Sequence, residues 1–486
     1  MARKEVNRWG DIAVRYDHLI FISIDTLRAD CIAANPCKLF PSKYRVQRTL
    51  ETPLLDTVAR NGVFLANCIS SAPYTAASHG TFFTGRWPLN HGAHEFFNGA
   101  INCETIFEVA RDRGMRTVFK TDFPVILGKH LNFTRGVDDY IVEDDDAFIE
   151  SLLAPVASLG FAHFGGVHIP YGFHNLRFGG QTYLRKVEEL EAEIGRVSML
   201  PGDQLLESYR DEKDRALLLR YKSIVQHHYE AKNYDRLFDM YLEGVNYFMA
   251  ARFEPFLQKL LNRLRDRKYL IILFGDHGEE YDESSYGHFN TLSEGALRVP
   301  VIFYGTDVPT RLVIDRTRAV DVMPTLADRL DWDRPWGQDG RSMKDSVWND
   351  APITVRDTFA QAYTSDTAEF VAFQKVLLRT DVRPGPLRHV RYKEAAYVGP
   401  HKLIRQNYRY SLVEGKWGLT PCEPFLELSQ LNGQGGIPEL ISDPELASQI
   451  AASMDAYNKL LHRDDHKNVE MTDELRQQLN TLGYRI

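Results

Sequence analysis

The sequence predicts an α/β protein with a large, mostly parallel central sheet flanked by helices, joined to a small C-terminal antiparallel sheet. Three observations carry this reading. Apolar runs such as HLIFISID (18–25) and YLIILFGDHG (269–278) end abruptly in polar groups, the pattern of buried parallel strands with functional side chains at their tips. Such runs alternate with amphipathic helices across the first 330 residues, the βαβα order of a parallel sheet covered on both faces. Beyond about residue 350, FVAFQKVLLRT, AAYVGPHKLIRQ and YRYSLVEGKWGL read instead as antiparallel strands separated by turns. The boundary is placed near 345–352, giving an α/β domain over 1–348 and an α+β subdomain over 349–486.

Taken in order, 18–25 is a strand that leaves Asp25 at its tip, and 52–64 is a helix stopped by Asn61-Gly62 ahead of the strand FLANCIS. The stretch 72–92 holds Thr75 at a helix start, where its oxygen serves either as an N-cap or as a nucleophile favoured by the helix dipole. Thr84-Gly85 closes that helix after about two turns. ETIFEVARDRG (104–114) and MRTVFKT (115–121) form the next helix and strand. The acidic stretch 137–148 lacks the spacing of a calcium loop and reads as a solvated loop. SLGFAHFGGVH (158–168) leads to His168. The charged segment 172–240 reads as a helical insertion, with His227 and His228 as exposed polar residues, and a long helix spans 241–267. Strand 298–305, helix 319–332 and a C-terminal helix over 443–461 complete the series.

Composition narrows the function. Of 486 residues, 44% are hydrophobic and 26% charged, and no run approaches the roughly 18 apolar residues of a membrane span. A net charge of −8 gives no footprint for nucleic acid or an anionic membrane, so an anionic substrate needs local positive charge or a metal. Five cysteines without paired spacing suit free thiols, and the polar N-terminus lacks a signal-peptide core, so a cytoplasmic location is expected. Self-association into a homo-oligomer stays open.

Separate strand ends supply Asp25, Asp276 with His277, and His288, while the short helix supplies Thr75. In an open α/β sheet ligands bind beyond the carboxyl ends of the strands, so these groups can converge. Two carboxylates, an imidazole and a hydroxyl suit a divalent cation, which would acidify the hydroxyl and neutralise an anionic substrate. Taken singly, each has a structural reading: strand-end caps for the aspartates, a core histidine for His168, a loop residue for His288.

The blocks LIFISIDTLRAD (19–30), 75–92, GDHGEEYDESSYGH (275–288) and LRVPVIF (297–303) resemble, in order and spacing, the signature blocks of the sulfatase branch of the alkaline phosphatase superfamily. The strands bearing FLELSQ resemble its small C-terminal subdomain. The resemblance implies an alkaline-phosphatase-like sandwich in which Asp25, Asp276 and His277 hold the metal and Thr75 is the metal-bound nucleophile. It makes His168, in HIPY, an active-site histidine. It sets His288 where sulfatases use a lysine and related phosphoesterases a histidine. Thr26 falls where many sulfatases have a second aspartate ligand. The chain departs from the pattern at the nucleophile: sulfatases carry Cys or Ser followed by x-Pro-Ser-Arg and oxidise it to formylglycine, whereas here Thr75 is followed by Ala76-Ala77-Ser78, with His79 replacing the arginine.

Threonine is the nucleophile of phosphodiesterase, phosphonate-hydrolase and phosphoethanolamine-transferase relatives. The implied activity is therefore metal-dependent hydrolysis of phosphoric or phosphonic esters through a phosphothreonine intermediate, with Thr75, His79, His168 and His288 as the catalytic set. The implied cofactor is one Zn, Mn or Ca ion per site, with a second left open. Two-metal relatives place an aspartate four residues before a histidine, where this chain has Phe164. A phosphoryl transferase, a sulfuric ester hydrolase and a catalytically silent binding protein are the alternatives. Asn98, Lys120 and Lys129 are candidates for the pocket rim.

Overall fold

The computed structural model describes residues 16–94, 100–124, 126–174, 180–195, 212–283, 285–288, 291–332, 339–365, 389–413, 416–432 and 437–461. Its strands are β1 (His18–Ile24), β2 (Val63–Ile69), β3 (Arg116–Thr121), β4 (Asp139–Val142), β5 (Ser158–Phe164), β6 (Tyr269–Gly275), β7 (Glu280–Asp282), β8 (Ser285–Gly287), β9 (Arg298–Gly305), β10 (Arg311–Val313) and β11 (Thr317–Arg318), followed by β12 (Thr358–Ser365), β13 (His389–Val398), β14 (His401–Val413), β15 (Lys416–Gln430) and β16 (Glu439–Leu440). The large sheet runs β10-β2-β9-β6-β1-β5-β3-β4, with β11 also paired to β2. It is parallel except for β9, which runs against both β2 and β6.

The strands of the centre are buried on both faces because side chains alternate across the pleat. Leu19 and Phe21 of β1 join one core cluster while Ile20, Ile22 and Ile24 join the other. Each aliphatic side chain removed from water in this way contributes about 1.5–3 kcal/mol. One face is covered by helices that include Thr75–Thr84, Ile106–Asp112 and Val322–Arg329, the other by Pro53–Arg60, Tyr234–Phe248 and Glu254–Leu264.

Register sets the site. Ile24 lies opposite Phe164 on one side and Gly275 on the other, so Asp25, Gly165 and Asp276 leave the sheet side by side. Asp25 N–H donates to Phe164 O at 2.9 Å and continues the ladder one residue beyond the strand.

The second sheet, β12-β13-β14-β15-β16, is antiparallel throughout. Helix Pro444–Lys459 packs on it, capped by Asp443. The expected strand FVAFQKVLLRT lies outside the described residues, as does Asn98. Cys31, Cys37, Cys68 and Cys103 are free, and no described helix is long and apolar enough to cross a membrane.

Four local expectations are corrected. The acidic stretch 137–148 is not a loop: it forms β4 and then caps helix Asp145–Leu152 through Asp144, while Asp145 is drawn in by Arg252 and Lys120. Helix 241–267 starts earlier, as Tyr234–Phe248, and passes through a wider π turn at Met249–Phe253 before Glu254–Leu264. His228 is buried, and its pKa is lowered to about 4 chiefly by burial, because helix Glu212–Glu230 is covered more widely than its charged sequence suggests. Lys120 is not at a rim: it is fully buried and paired to Asp122 at 2.7 Å. Lys129 is exposed.

Candidate metal centre and active site

Helix Thr75–Thr84 begins at the sheet's carboxyl edge and ends at Gly85, whose φ of +66° is the left-handed stop that glycine adopts freely. Its N-cap is Tyr74, and Thr75 is the first helical residue, so the sequence-based reading of Thr75 as a cap does not hold. Ten residues make the helix nearly three turns rather than two. Released from capping, Thr75 Oγ1 donates to Asp25 Oδ2 at 3.1 Å and stands 3.4 Å from His277 Nε2.

Asp25, Asp276 and His277 place one ligand atom each within 4.8 Å of one another, all three fully buried. Asp276 Oδ1 accepts from the backbone N–H of Thr26 at 3.1 Å and of His277 at 2.9 Å. Its other oxygen, Oδ2, and Asp25 Oδ1 have no hydrogen-bond partner. Such orphaned buried carboxylate oxygens are costly unless something else satisfies them. His277 Nδ1–H donates to Gly278 O at 3.2 Å, which leaves the Nε2 lone pair facing both carboxylates, 3.6 Å from Asp25 Oδ1 and 3.5 Å from Asp276 Oδ2. Burial raises the Asp25 pKa to about 6 and also raises that of Asp276, the latter further pushed by Asp25. Two carboxylates short of positive charge, with free oxygens and one free imidazole nitrogen, fit a divalent cation of the hard-to-borderline class.

Thr26 is bent away from this centre. Its φ of +58° is unusual for a β-branched residue, its hydroxyl donates to Asp25 O at 2.7 Å, and its carbonyl accepts from Tyr241 Oη at 2.7 Å. Only its backbone N–H serves the site, by holding Asp276.

His79 lies behind the nucleophile, not in front of it. Its Nδ1–H donates to Thr75 O at 2.7 Å, and its Nε2 accepts from Ser23 Oγ at 2.8 Å. The ring is wholly buried among Phe83, Phe161 and Phe274, which lowers its pKa to about 3. It is a positioning residue for the helix start. His288 packs 4.3 Å from the His277 ring, and its Nδ1–H donates to Glu279 Oε2 at 3.3 Å. His168, half-buried, donates from Nδ1 to Ile169 O at 2.9 Å and its ring lies 5.3 Å from His288. Burial first, then neighbouring imidazoles, hold both His168 and His288 below the usual histidine range.

Sequence reasoning missed His163 and Glu279. His163 Nε2–H donates to Asp25 Oδ2 at 3.1 Å, sharing that oxygen with Thr75. An imidazole inside the otherwise apolar run of β5 was the available signal. Glu279 is buried with its carboxyl well above the ordinary range, mainly through burial.

The sulfatase family profile matches residues 17–141 and 225–332. Among solved structures, the phosphonate monoester hydrolase SpPMH of Silicibacter pomeroyi aligns over 92% of this chain and 96% of its own, with 15% identity and a TM-score of 0.57. The phosphonate monoester hydrolase of Agrobacterium radiobacter aligns over 94% and 98%, with 15% identity and a TM-score of 0.56. BT4656, solved in complex with its substrate D-glucosamine-2-N,6-O-disulfate, aligns over 92% and 98%, with 14% identity and a TM-score of 0.59. None of the curated proteins matches the sequence significantly. With its signature blocks converging at one end of the large sheet, the chain belongs to the sulfatase family, a hydrolase family within the alkaline phosphatase superfamily.

Proposed function

We propose that the protein hydrolyses phosphoric or phosphonic esters, using Thr75 as nucleophile and a phosphothreonine intermediate. The observation that carries this reading is the placement of Thr75 Oγ1 against Asp25 and His277, beside carboxylate oxygens left without partners. A threonine side chain cannot be converted to the formylglycine aldehyde of sulfatases, which favours phosphorus over sulfur. Asp25, Asp276, His277 and Thr75 would hold a divalent ion, which would supply charge neutralisation for the ester oxygens and lower the pKa of the hydroxyl.

The chain's own groups account for the rest. Asp25 and the buried His79 fix the hydroxyl at the helix start, where free backbone N–H groups favour an anion. Thr75 Oγ attacks phosphorus, the bond to the leaving oxygen breaks, and that oxygen gains a proton as Thr75 loses one. Water then attacks phosphorus, the P–Oγ bond breaks, and Thr75 regains its proton. His288, held by Nδ1–H donation to Glu279 with its ring 4.3 Å from that of His277, is the imidazole that receives the proton of that water. A transferase would differ only in the acceptor of the second step.

The test is turnover of aryl phosphate mono- and diesters, an aryl phosphonate and an aryl sulfate by metal-supplied protein, beside Thr75→Ala. Turnover of a phosphorus ester that disappears in the variant is expected. Turnover of the sulfate alone, or an unaffected variant, overturns the proposal.

A further inference from the structure

His163 is the one imidazole of strand β5, and no step of the proposed reaction uses it. It stands opposite Ser23 in the register of β1 against β5, on the same face as Phe161, and is fully buried. Ser23 holds the neighbouring imidazole, His79, whose ring lies 5.4 Å away. The two rings divide the surroundings of the nucleophile between them. His79 grips the backbone of Thr75 at 2.7 Å, whereas His163 reaches the carboxylate that the Thr75 hydroxyl touches.

His163 is fixed at its backbone and at both ring nitrogens. Its carbonyl accepts from Lys120 Nζ at 2.9 Å, and two residues on, Gly165 N–H donates to Asp122 Oδ2 at 2.9 Å. Asp122 is clamped in turn by Lys120 at 2.7 Å and by Arg252 at 2.9 Å, the arginine coming from the π turn Met249–Phe253. On the ring side, Thr121 Oγ1 accepts from Phe123 N–H at 2.9 Å and has its own proton to give to His163 Nδ1, 3.4 Å away. With Nδ1 as acceptor, the ring proton sits on Nε2 and points at Asp25 Oδ2, 3.1 Å away. The opposite tautomer would set a lone pair against a carboxylate oxygen.

Asp25 Oδ2 thus takes two donors, His163 and Thr75, while Oδ1 takes none among the described residues and lies 3.6 Å from His277 Nε2. Together the donors turn the carboxylate so that its open oxygen faces the other ligand atoms. They are not equivalent. Thr75 gives up its proton in the attack on phosphorus and its hydrogen bond to Oδ2 goes with it, whereas the imidazole N–H remains. Without that N–H, a buried carboxylate oxygen would stand unpartnered beside the reacting oxygen.

We propose that His163 is a positioning residue of the reaction: its Nε2–H aims Asp25 Oδ1 at the divalent ion and keeps Oδ2 satisfied when Thr75 becomes the nucleophile. This rests on the ester-hydrolase reading and adds to it the group that orients a metal ligand from behind. His163 acts through Asp25 and takes no part in bond making. Outer hydrogen bonds of this kind are worth about 10- to 100-fold in metal affinity or activity.

The test measures Mn(II) binding to metal-free protein by calorimetry, and kcat and KM for phenyl methylphosphonate at saturating metal. Wild type, His163→Leu, His163→Met and His163→Gln are compared, with thermal melting of each. His163→Leu and His163→Met remove the donor and should weaken metal binding and lower kcat, each by about 10- to 100-fold, with little change in KM. His163→Gln sets an amide N–H near the position of Nε2 and should recover most of both losses. Wild-type metal affinity and kcat in a folded donor-free variant overturn the inference, as does His163→Gln performing no better than His163→Leu or His163→Met. Where one donor-free variant does not fold, the other decides. Failure of the ester-hydrolase reading shows separately, as no turnover by wild type. In that event the ratios of metal affinity decide by the same criteria.

Discussion

Two buried charge clusters lie at the same edge of the large sheet, and they are built on opposite plans. At the strand tips, among the described residues, Asp25 and Asp276 are paired to imidazoles but to no lysine or arginine, one oxygen of each has no hydrogen-bond partner, and their pKa values rise. Between the two sheets, beside a cavity of about 350 Å³, Glu294 accepts from Lys402 Nζ at 2.8 Å, from Tyr397 Oη at 2.7 Å and from Arg298. Nearby, Asp30 accepts from Arg28 Nε and Nη2, each at 2.8 Å. Burial would raise these carboxyls too, but the cations outweigh it and both titrate below the ordinary range. Equal depth with opposite shifts isolates the deciding variable, which is the presence of a counter-cation. The balanced cluster serves architecture; the unbalanced one is completed by what binds there.

The comparison breaks most visibly at the nucleophile. Thr75→Ala is expected to lower turnover by about 10³-fold or more, with little change in melting temperature. A steady-state rate within tenfold of wild type would remove Thr75 from the mechanism. On the balanced side, Lys402→Met strips Glu294 of its closest amine and should cost about 3–5 kcal/mol in urea unfolding, while bound-metal stoichiometry by mass spectrometry stays unchanged.

The opposite pKa shifts give a sharper contrast. Asp25 titrates near 6 in the metal-free fold against 3.8 unfolded, so its contribution to stability is fully present below 3.8 and is lost as pH rises through 6. Metal-free Asp25→Asn should therefore gain on metal-free wild type across that window, by up to about 3 kcal/mol, and the gain should disappear when metal is added to wild type. A flat difference between pH 4 and 7 in chemical denaturation would refute the imbalance. The smallest effect concerns the support beneath Thr75: Ser23→Ala removes one hydrogen bond to His79 and should cost about 1 kcal/mol by the same measurement.

The strand-tip ligands were legible because apolar runs that stop at Asp25 and at Asp276-His277 say where a buried strand leaves the sheet. Their convergence followed from the rule that parallel strands present their carboxyl ends together. His163 was not legible in the same way, since its partnership with Asp25 depends on the register of β1 against β5. Nor could RVPVIFYG reveal that β9 runs backwards, because an apolar strand reads the same in either direction. The acidic stretch misled for a different reason: Asp145 is claimed by Arg252, more than one hundred residues away in sequence. The charged insertion hid the burial of His228, which comes from how its helices pack, not from local pattern.

The reversal of β9 has a mechanical consequence. A parallel strand would arrive at the ligand edge; β9 departs from it, so the short helix Glu294–Leu297 that precedes β9 is seated there. Glu294 is gripped by Lys402 of β14, and two residues on, Ala296 O accepts from Gly278 N–H at 2.7 Å. Gly278 O in turn receives the Nδ1–H of His277. The second sheet is thereby a brace whose far end is the tautomer of a ligand imidazole, and a load placed on β14 is transmitted to His277 through one short helix and three polar contacts.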